Sequence, residues 1–164
     1  MGRGAETALH AFVEGRRTAL FHSAYLLCGN RDEAEDLVQT VLVKVVLGAR
    51  RHGRLENLEA YARMTLVNTF IAGRRRFWRR EQAYGELPDA PGELVDNDTG
   101  LVVRAALATL TPKQRAVLVL RYWEDLSVAA TAELLDMRES TVKSHAARGL
   151  AAMRAAVREE EEHV

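Results

Sequence analysis

Three clusters of side chains in this 164-residue chain have types and spacings suited to recognition chemistry. The first is the run Arg74, Arg75, Arg76, Phe77, Trp78, Arg79 and Arg80, five guanidinium groups interleaved with two aromatic rings. Guanidinium forks pair with phosphate oxygens and flat rings stack on unpaired bases, so this mixture suits nucleic acid that is partly single-stranded. Aromatic core residues flanked by solvated arginines are the competing explanation. The second is the set Thr141, Lys143, Ser144, His145 and Arg148. Short polar and cationic groups of this kind reach base edges and phosphates from a helix lying in a major groove. The third is an acid-and-amide stripe, Asp32, Asp36, Gln39 and Thr40, with the apolar Val43 stranded among them. An apolar side chain inside such a stripe points to a protein interface, the alternative being a solvated helix face.

Catalytic chemistry finds no comparable cluster. The five histidines, His10, His22, His52, His145 and His163, are scattered without the close pairing of a helical zinc site, and neither a Gly-rich phosphate loop nor a nucleophile elbow occurs. The sequence therefore predicts no enzyme, no metal and no cofactor. The single cysteine, Cys28, sits in the apolar run AYLLCG and excludes an intramolecular disulfide framework. A small buried thiol is expected there rather than a redox sensor.

Elements that would position these clusters can be read from periodicity and caps. Strong helix formers dominate and alternating strand patterns are scarce, which predicts an all-α fold. A first helix is expected from about Ala5 to Leu27, with Leu9, Phe12, Leu20, Ala24 and Leu27 on its buried side. Gly29 and Asn30 break it, Asn30 and Glu33 cap the next helix, and Gly48 is expected to end that one. Ala34, Leu37, Val38, Val41, Leu42 and Val45 gather on its core face, opposite the acid-and-amide stripe. Arg50 to Glu56 reads as an exposed loop. The following helix places Arg63, Val67, Phe70 and Arg74 on one strip and runs into the arginine block.

The C-terminal third has the clearest local grammar. Thr111, Pro112 and Gln114 form a capping box with proline at the first helical position, and a helix is expected to run to about Trp123. Ser127 caps a short helix through Leu135, Asp136 occupies the tight turn, and a third helix follows from about Glu139. On that helix Val142, Ala146, Leu150 and Met153 face inward, leaving Thr141, Ser144 and Arg148 outward with Lys143 and His145 beside them. This is a helix-turn-helix with a recognition helix.

The zero formal net charge hides a segmented distribution. Residues 41–80 carry ten Lys/Arg against two acids, whereas residues 81–100 carry six acids and no Lys or Arg. A basic block beside an acidic, Pro- and Gly-containing spacer fits a polyanion-binding module followed by a flexible linker. The expected organisation is two small helical domains, 1–80 and 101–164, joined by the linker 81–100. No apolar run reaches membrane-spanning length and the N-terminus lacks a signal-peptide core, so no membrane insertion and a reducing cytoplasm are expected.

Taken together, AYLLCGNRDEAEDLVQ, EAYARMTLVNTFIAGRRRFWRR, LTPKQRAVLVLRYWEDLSVAATAELL and STVKSHAARGLAAMR resemble, in order and spacing, an extracytoplasmic-function (ECF) sigma factor of the sigma-E-like branch. The resemblance implies a region 2 bundle and a region 4 helix-turn-helix on a factor that docks on core RNA polymerase and directs it to promoters. It implies polymerase contacts at Asp36 and Gln39, with Asp32, Thr40 and Val43 on the same face. For the -10 element it implies Asn57, Arg63, Asn68, Arg74 and Arg75, with Arg76 and Trp78 in the same block. For the -35 element it implies Lys143, Ser144 and Arg148, with Thr141 at phosphate and His145 beside it. The implied partners are core polymerase, double-stranded and locally melted promoter DNA, and an anti-sigma factor. Four positions depart from the family pattern: Thr40 replaces an acid, Ala72 an acid before the arginines, Asp136 a turn glycine, and Arg138 a small capping residue, the last two predicting a recognition helix that starts late or frays. The alternative is a stand-alone LuxR-type regulator, which shares the LTP…TVKSH pattern and has no use for the N-terminal clusters.

Overall fold

The computed structural model describes residues 2–52, 57–84 and 98–162, and of residues 77–84, 98 and 99 the backbone alone. Seven helices are found among the described residues. In order they are α1 (Arg3–Cys28), α2 (Arg31–His52), α3 (Leu58–Tyr84), α4 (Asp98–Ala108), α5 (Pro112–Leu118), α6 (Val128–Leu135) and α7 (Glu139–Glu162). A π-helical turn, Val119–Trp123, extends α5 to the expected end. No strand occurs among the described residues, in keeping with the all-α expectation.

Most boundaries follow from local chemistry. Gly29 adopts a left-handed backbone, φ 71° and ψ 4°, and its N–H donates to the Tyr25 carbonyl at 2.8 Å, which closes α1. Asn30 Oδ1 accepts from the Glu33 N–H at 3.1 Å and caps α2. Thr111 and Gln114 form both bonds of the capping box at the start of α5. Ser127 Oγ accepts from the Ala130 N–H at 3.0 Å and caps α6. Asp136 takes the left-handed turn position, φ 53° and ψ 51°, and the Met137 N–H reaches back to the Ala132 carbonyl at 2.9 Å. The recognition helix starts at Glu139, with the Arg138 carbonyl accepting from Thr141 and Val142 at 3.0 and 3.1 Å, so the unusual Arg138 does not delay it.

Three expectations need correction. Gly48 does not end α2, which continues to His52. A Cβ at Gly48 would lie 2.5 Å from Tyr61 Oη, so this glycine serves close approach of α3 rather than a helix stop. Arg50, Arg51 and His52 are accordingly helical, while the rest of the expected loop, residues 53–56, lies outside the described residues. The linker is shorter at both ends: residues 81–84 continue α3 and residues 98–100 open α4. Residues 85–97 lie outside the described residues.

The core explains how the clusters are held. Leu27, Val41, Val45, Leu66 and Val67 are fully buried where α1, α2 and α3 meet. The same cluster takes in Ala116, Val119 and Leu120 from α5 and its π-helical turn, so the two halves pack on a shared core. Burying each such Leu or Val contributes about 1.5–3 kcal/mol. A second cluster of Val117, Ala132 and Val142 locks the helix-turn-helix. A third sets Leu107, Leu110 and Leu118 against Ala146, Leu150 and Met153 on α7.

Candidate polymerase- and nucleic-acid-binding faces

α2 presents the acid-and-amide stripe as an open ridge. Its inward residues, among them Ala34, Leu37, Val41 and Val45, are buried, so helical geometry forces Asp32, Asp36, Gln39 and Thr40 outward, and all four are exposed. Val43 is 58% exposed, and Leu47, one turn later, is 59% exposed. Leu47 escaped the reading of the sequence, although its i+4 spacing from Val43 is the signal that finds it. Two large apolar side chains beside carboxylates and an amide make a surface suited to another protein rather than to DNA.

On α3 the expected nucleic-acid residues divide. Asn57 Oδ1 accepts from the Ala60 N–H at 3.0 Å, which caps α3 and sets Asn57 at its exposed N-terminal end. Asn68, Arg75 and Arg76 are exposed. The strip of Arg63, Val67, Phe70 and Arg74 instead turns inward, with Val67 and Phe70 buried. Arg63 Nε donates to Glu124 Oε2 at 3.1 Å and its Nη2 to Glu59 Oε1 at 3.3 Å. Arg74 Nη2 donates to Glu33 Oε2 at 2.8 Å and to the Cys28 carbonyl at 3.2 Å. The side chains of Phe77, Trp78, Arg79 and Arg80 lie outside the described residues.

Arg115, which sequence reasoning passed over, joins the two halves from α5. Its Nη1 donates to the Leu27 carbonyl at 2.6 Å and its Nη2 to the Leu110 carbonyl at 3.1 Å. Arg74 and Arg115 therefore both serve the C-terminal end of α1, where the last helical carbonyls lack intrahelical donors and the helix dipole favours a cation. Their guanidinium carbons stand 5.5 and 5.7 Å from the Phe70 ring centroid. Burial, with repulsion from Arg74, pulls Arg115 down to about 10, and it remains charged at neutral pH. Burial pushes the neighbouring Cys28 thiol up to about 12, so the thiolate needed for redox chemistry is not formed at neutral pH.

The recognition face of α7 is assembled by local geometry. Val142 is fully buried and fixes the helix's rotation. Lys143, Ser144 and Arg148 are exposed, and Thr141 and His145 are half-buried at the edge of the same face. Burial pushes His145 below the usual imidazole range, with Lys113 and Arg148 adding repulsion, so a neutral ring is presented at pH 7. Among the described residues no group of three or more His, Cys, Asp or Glu is arranged to hold a metal ion, and no helix is long and apolar enough to cross a membrane.

Two family models match this arrangement: Sigma-70 region 2 over residues 12–80 and Sigma-70, region 4 over residues 101–153. The RNA polymerase sigma-E factor of Streptomyces avermitilis is 36% identical over 169 residues, covering 94% of this chain and 87% of that one. The factor of the same name from Streptomyces coelicolor is 37% identical over 156 residues, covering 87% and 82%. In fold, the chain is similar to the sigma factor RpoE of Bartonella quintana, solved in complex with the anti-sigma factor NepR, with a TM-score of 0.70 at 23% identity over 96% of this chain and 98% of that one. The region 2 match accounts for the N-terminal half that a stand-alone regulator would leave unused. With both regions present in order, and with relatives alike over nearly its whole length, the chain belongs to the sigma-70 family of RNA polymerase sigma factors, beside the sigma-E factors of its extracytoplasmic-function group.

Proposed function

We infer that this protein is a transcription initiation factor that binds core RNA polymerase and directs it to specific promoters. The observation that carries this reading is the presence of region 2 and region 4 on one chain, each with an outward face of its own. In this reading residues 1–84 and 98–164 hold the two working regions and residues 85–97 connect them. The α2 ridge, centred on Asp36 and Gln39 and extended by Asp32, Thr40 and Val43, grips polymerase. Asn57, Asn68, Arg75, Arg76 and Trp78, with Arg63 and Arg74 once released from their carboxylates, engage the -10 element. Lys143, Ser144 and Arg148 read the -35 element while Thr141 and His145 border it. Two modest DNA contacts on one docked chain reinforce each other through effective concentration, and the factor itself performs no bond chemistry. It works in the cytoplasm. An anti-sigma factor is a further proposed partner, supported by the NepR complex of the fold relative.

The test is association with purified core polymerase followed by promoter-directed transcription. Asp36→Ala should weaken association while leaving helicity unchanged, because Asp36 is exposed on a ridge whose other side is core. Failure of the native chain to join core polymerase at low salt overturns the proposal.

A further inference from the structure

Glu124 lies at the end of the π-helical turn, where its N–H donates to the Val119 carbonyl at 2.9 Å, and Leu126 closes the turn by donating to the Leu120 carbonyl at 2.9 Å. Asp125, between them, takes a left-handed backbone at φ 56°. Such wide turns interrupt a helix where a side chain must be re-aimed. Here Tyr122 and Trp123 are directed outward, 58% and 55% exposed, and Glu124 is directed toward α1 and α3. Its Oε1 accepts from Ser23 Oγ at 2.5 Å and its Oε2 from Arg63 Nε at 3.1 Å. The Glu124 and Arg63 side chains are each 18% exposed. Glu59 takes Nη2 of the same guanidinium at 3.3 Å and is itself bound by Arg16 at 2.7 Å.

We propose that Glu124 is a self-shielding latch: its carboxylate occupies the Arg63 guanidinium in place of a DNA phosphate, so the free chain masks part of its -10 face until the C-terminal half lifts away. The proposal rests on the assignment of Arg63 to DNA. A carboxylate presents the same paired oxygen acceptors as a phosphate edge, and with Nε held by Glu124 and Nη2 by Glu59 the Nε–Nη2 edge of Arg63 is taken up by the protein's own carboxylates. The contact is specific rather than a chance surface pair, because it is half-buried, joined by a hydroxyl donor, and set beside the shared core through Val119 and Leu120. The masking is also selective. Asn68, Arg75, Arg76 and the α7 face remain exposed in the latched state, so weak DNA encounter persists while full engagement waits for release.

The experiment uses the full chain and a fluorescein-labelled single-stranded DNA of random sequence, read by anisotropy at low salt. Glu124→Gln should bind about three- to tenfold more tightly, the gain expected when an occluded state is depopulated. Ser23→Ala should shift binding in the same direction by less. Asp125→Asn removes an adjacent exposed charge without touching Arg63 and should change little, which separates release of the latch from a general loss of negative charge. Adding Arg63→Ala to Glu124→Gln should abolish the gain. Far-UV circular dichroism and melting establish that each variant is folded. Unchanged affinity in folded Glu124→Gln, an equal gain in Asp125→Asn, or a gain that survives loss of Arg63 overturns the latch. These outcomes are independent of core-polymerase association: a chain that joins polymerase yet shows no gain loses only the latch.

Discussion

α3 and α7 both carry cationic side chains at helical spacing, yet they hold them in opposite ways. On α7 the buried Val142 sets the rotation of the helix, and Lys143, Ser144 and Arg148 stand in solvent. On α3 the corresponding strip faces inward, and Arg63 and Arg74 are held by Glu124, Glu59, Glu33 and a carbonyl of α1. A run of arginines in a sequence thus announces affinity for anions without saying whether the anion is a nucleic acid or the protein's own carboxylate. The difference separates a face whose cations stand in solvent from a strip whose cations are already paired within the chain.

The comparison is tested most severely by asking whether the two regions fold as one unit. Leu66→Ala in α3 and Leu120→Ala in the π-helical turn each empty a fully buried site and should each cost about 2–5 kcal/mol by urea unfolding. Both should move a single transition, because both side chains belong to one cluster; two resolved transitions would show the halves to be independent. Next in size is Arg115→Met, which removes the donor from the Leu27 and Leu110 carbonyls and should cost about 2–3 kcal/mol, seen as a lower Tm.

Ligand-binding effects are smaller and should separate the two faces. Arg148→Ala should weaken binding of promoter duplex by about 1–3 kcal/mol and relax its sequence preference. Arg63→Ala should change single-strand affinity of the free chain by less than about 1 kcal/mol, because that guanidinium is already occupied by carboxylates. An equal loss from both variants, measured by anisotropy, would erase the distinction between the faces. Asp136→Gly should then raise stability by about 0.5 kcal/mol by relieving a left-handed backbone, without altering DNA binding.

The smallest effect expected is a pH response of the α7 face. His145 is held below its ordinary range by burial and by Lys113 and Arg148, so the unfolded chain binds this proton more readily than the folded one. Its contribution to stability is present above the unfolded imidazole value, about 6.5, and is lost as pH falls through the folded value. The Tm should fall on acidification below about pH 6.5, and less so in His145→Asn.

What was legible in the sequence was mostly local. The caps at Asn30, Thr111 and Ser127, the break at Gly29 and the turn at Asp136 each depend on neighbours within about four residues, and each appears where the residue types place it. The sigma-factor resemblance was legible because whole segments carry it. What escaped depends on distant partners. Gly48 reads as a stop, but its reason is Tyr61 on another helix. Glu124 reads as one more surface acid, although its partners Ser23 and Arg63 lie 101 and 61 residues away. The strip on α3 reads as a basic face because its spacing says which side chains align and nothing about what lies opposite them.

The carbonyl end of α1 receives one arginine from 46 residues downstream and another from 88 residues downstream. During synthesis at about 5–20 residues per second, the second donor emerges roughly 4–18 s after its acceptor. Until then the Leu27 carbonyl must rely on water or a helper, and a ribosome stalled within that interval carries a nascent bundle whose seam is still open.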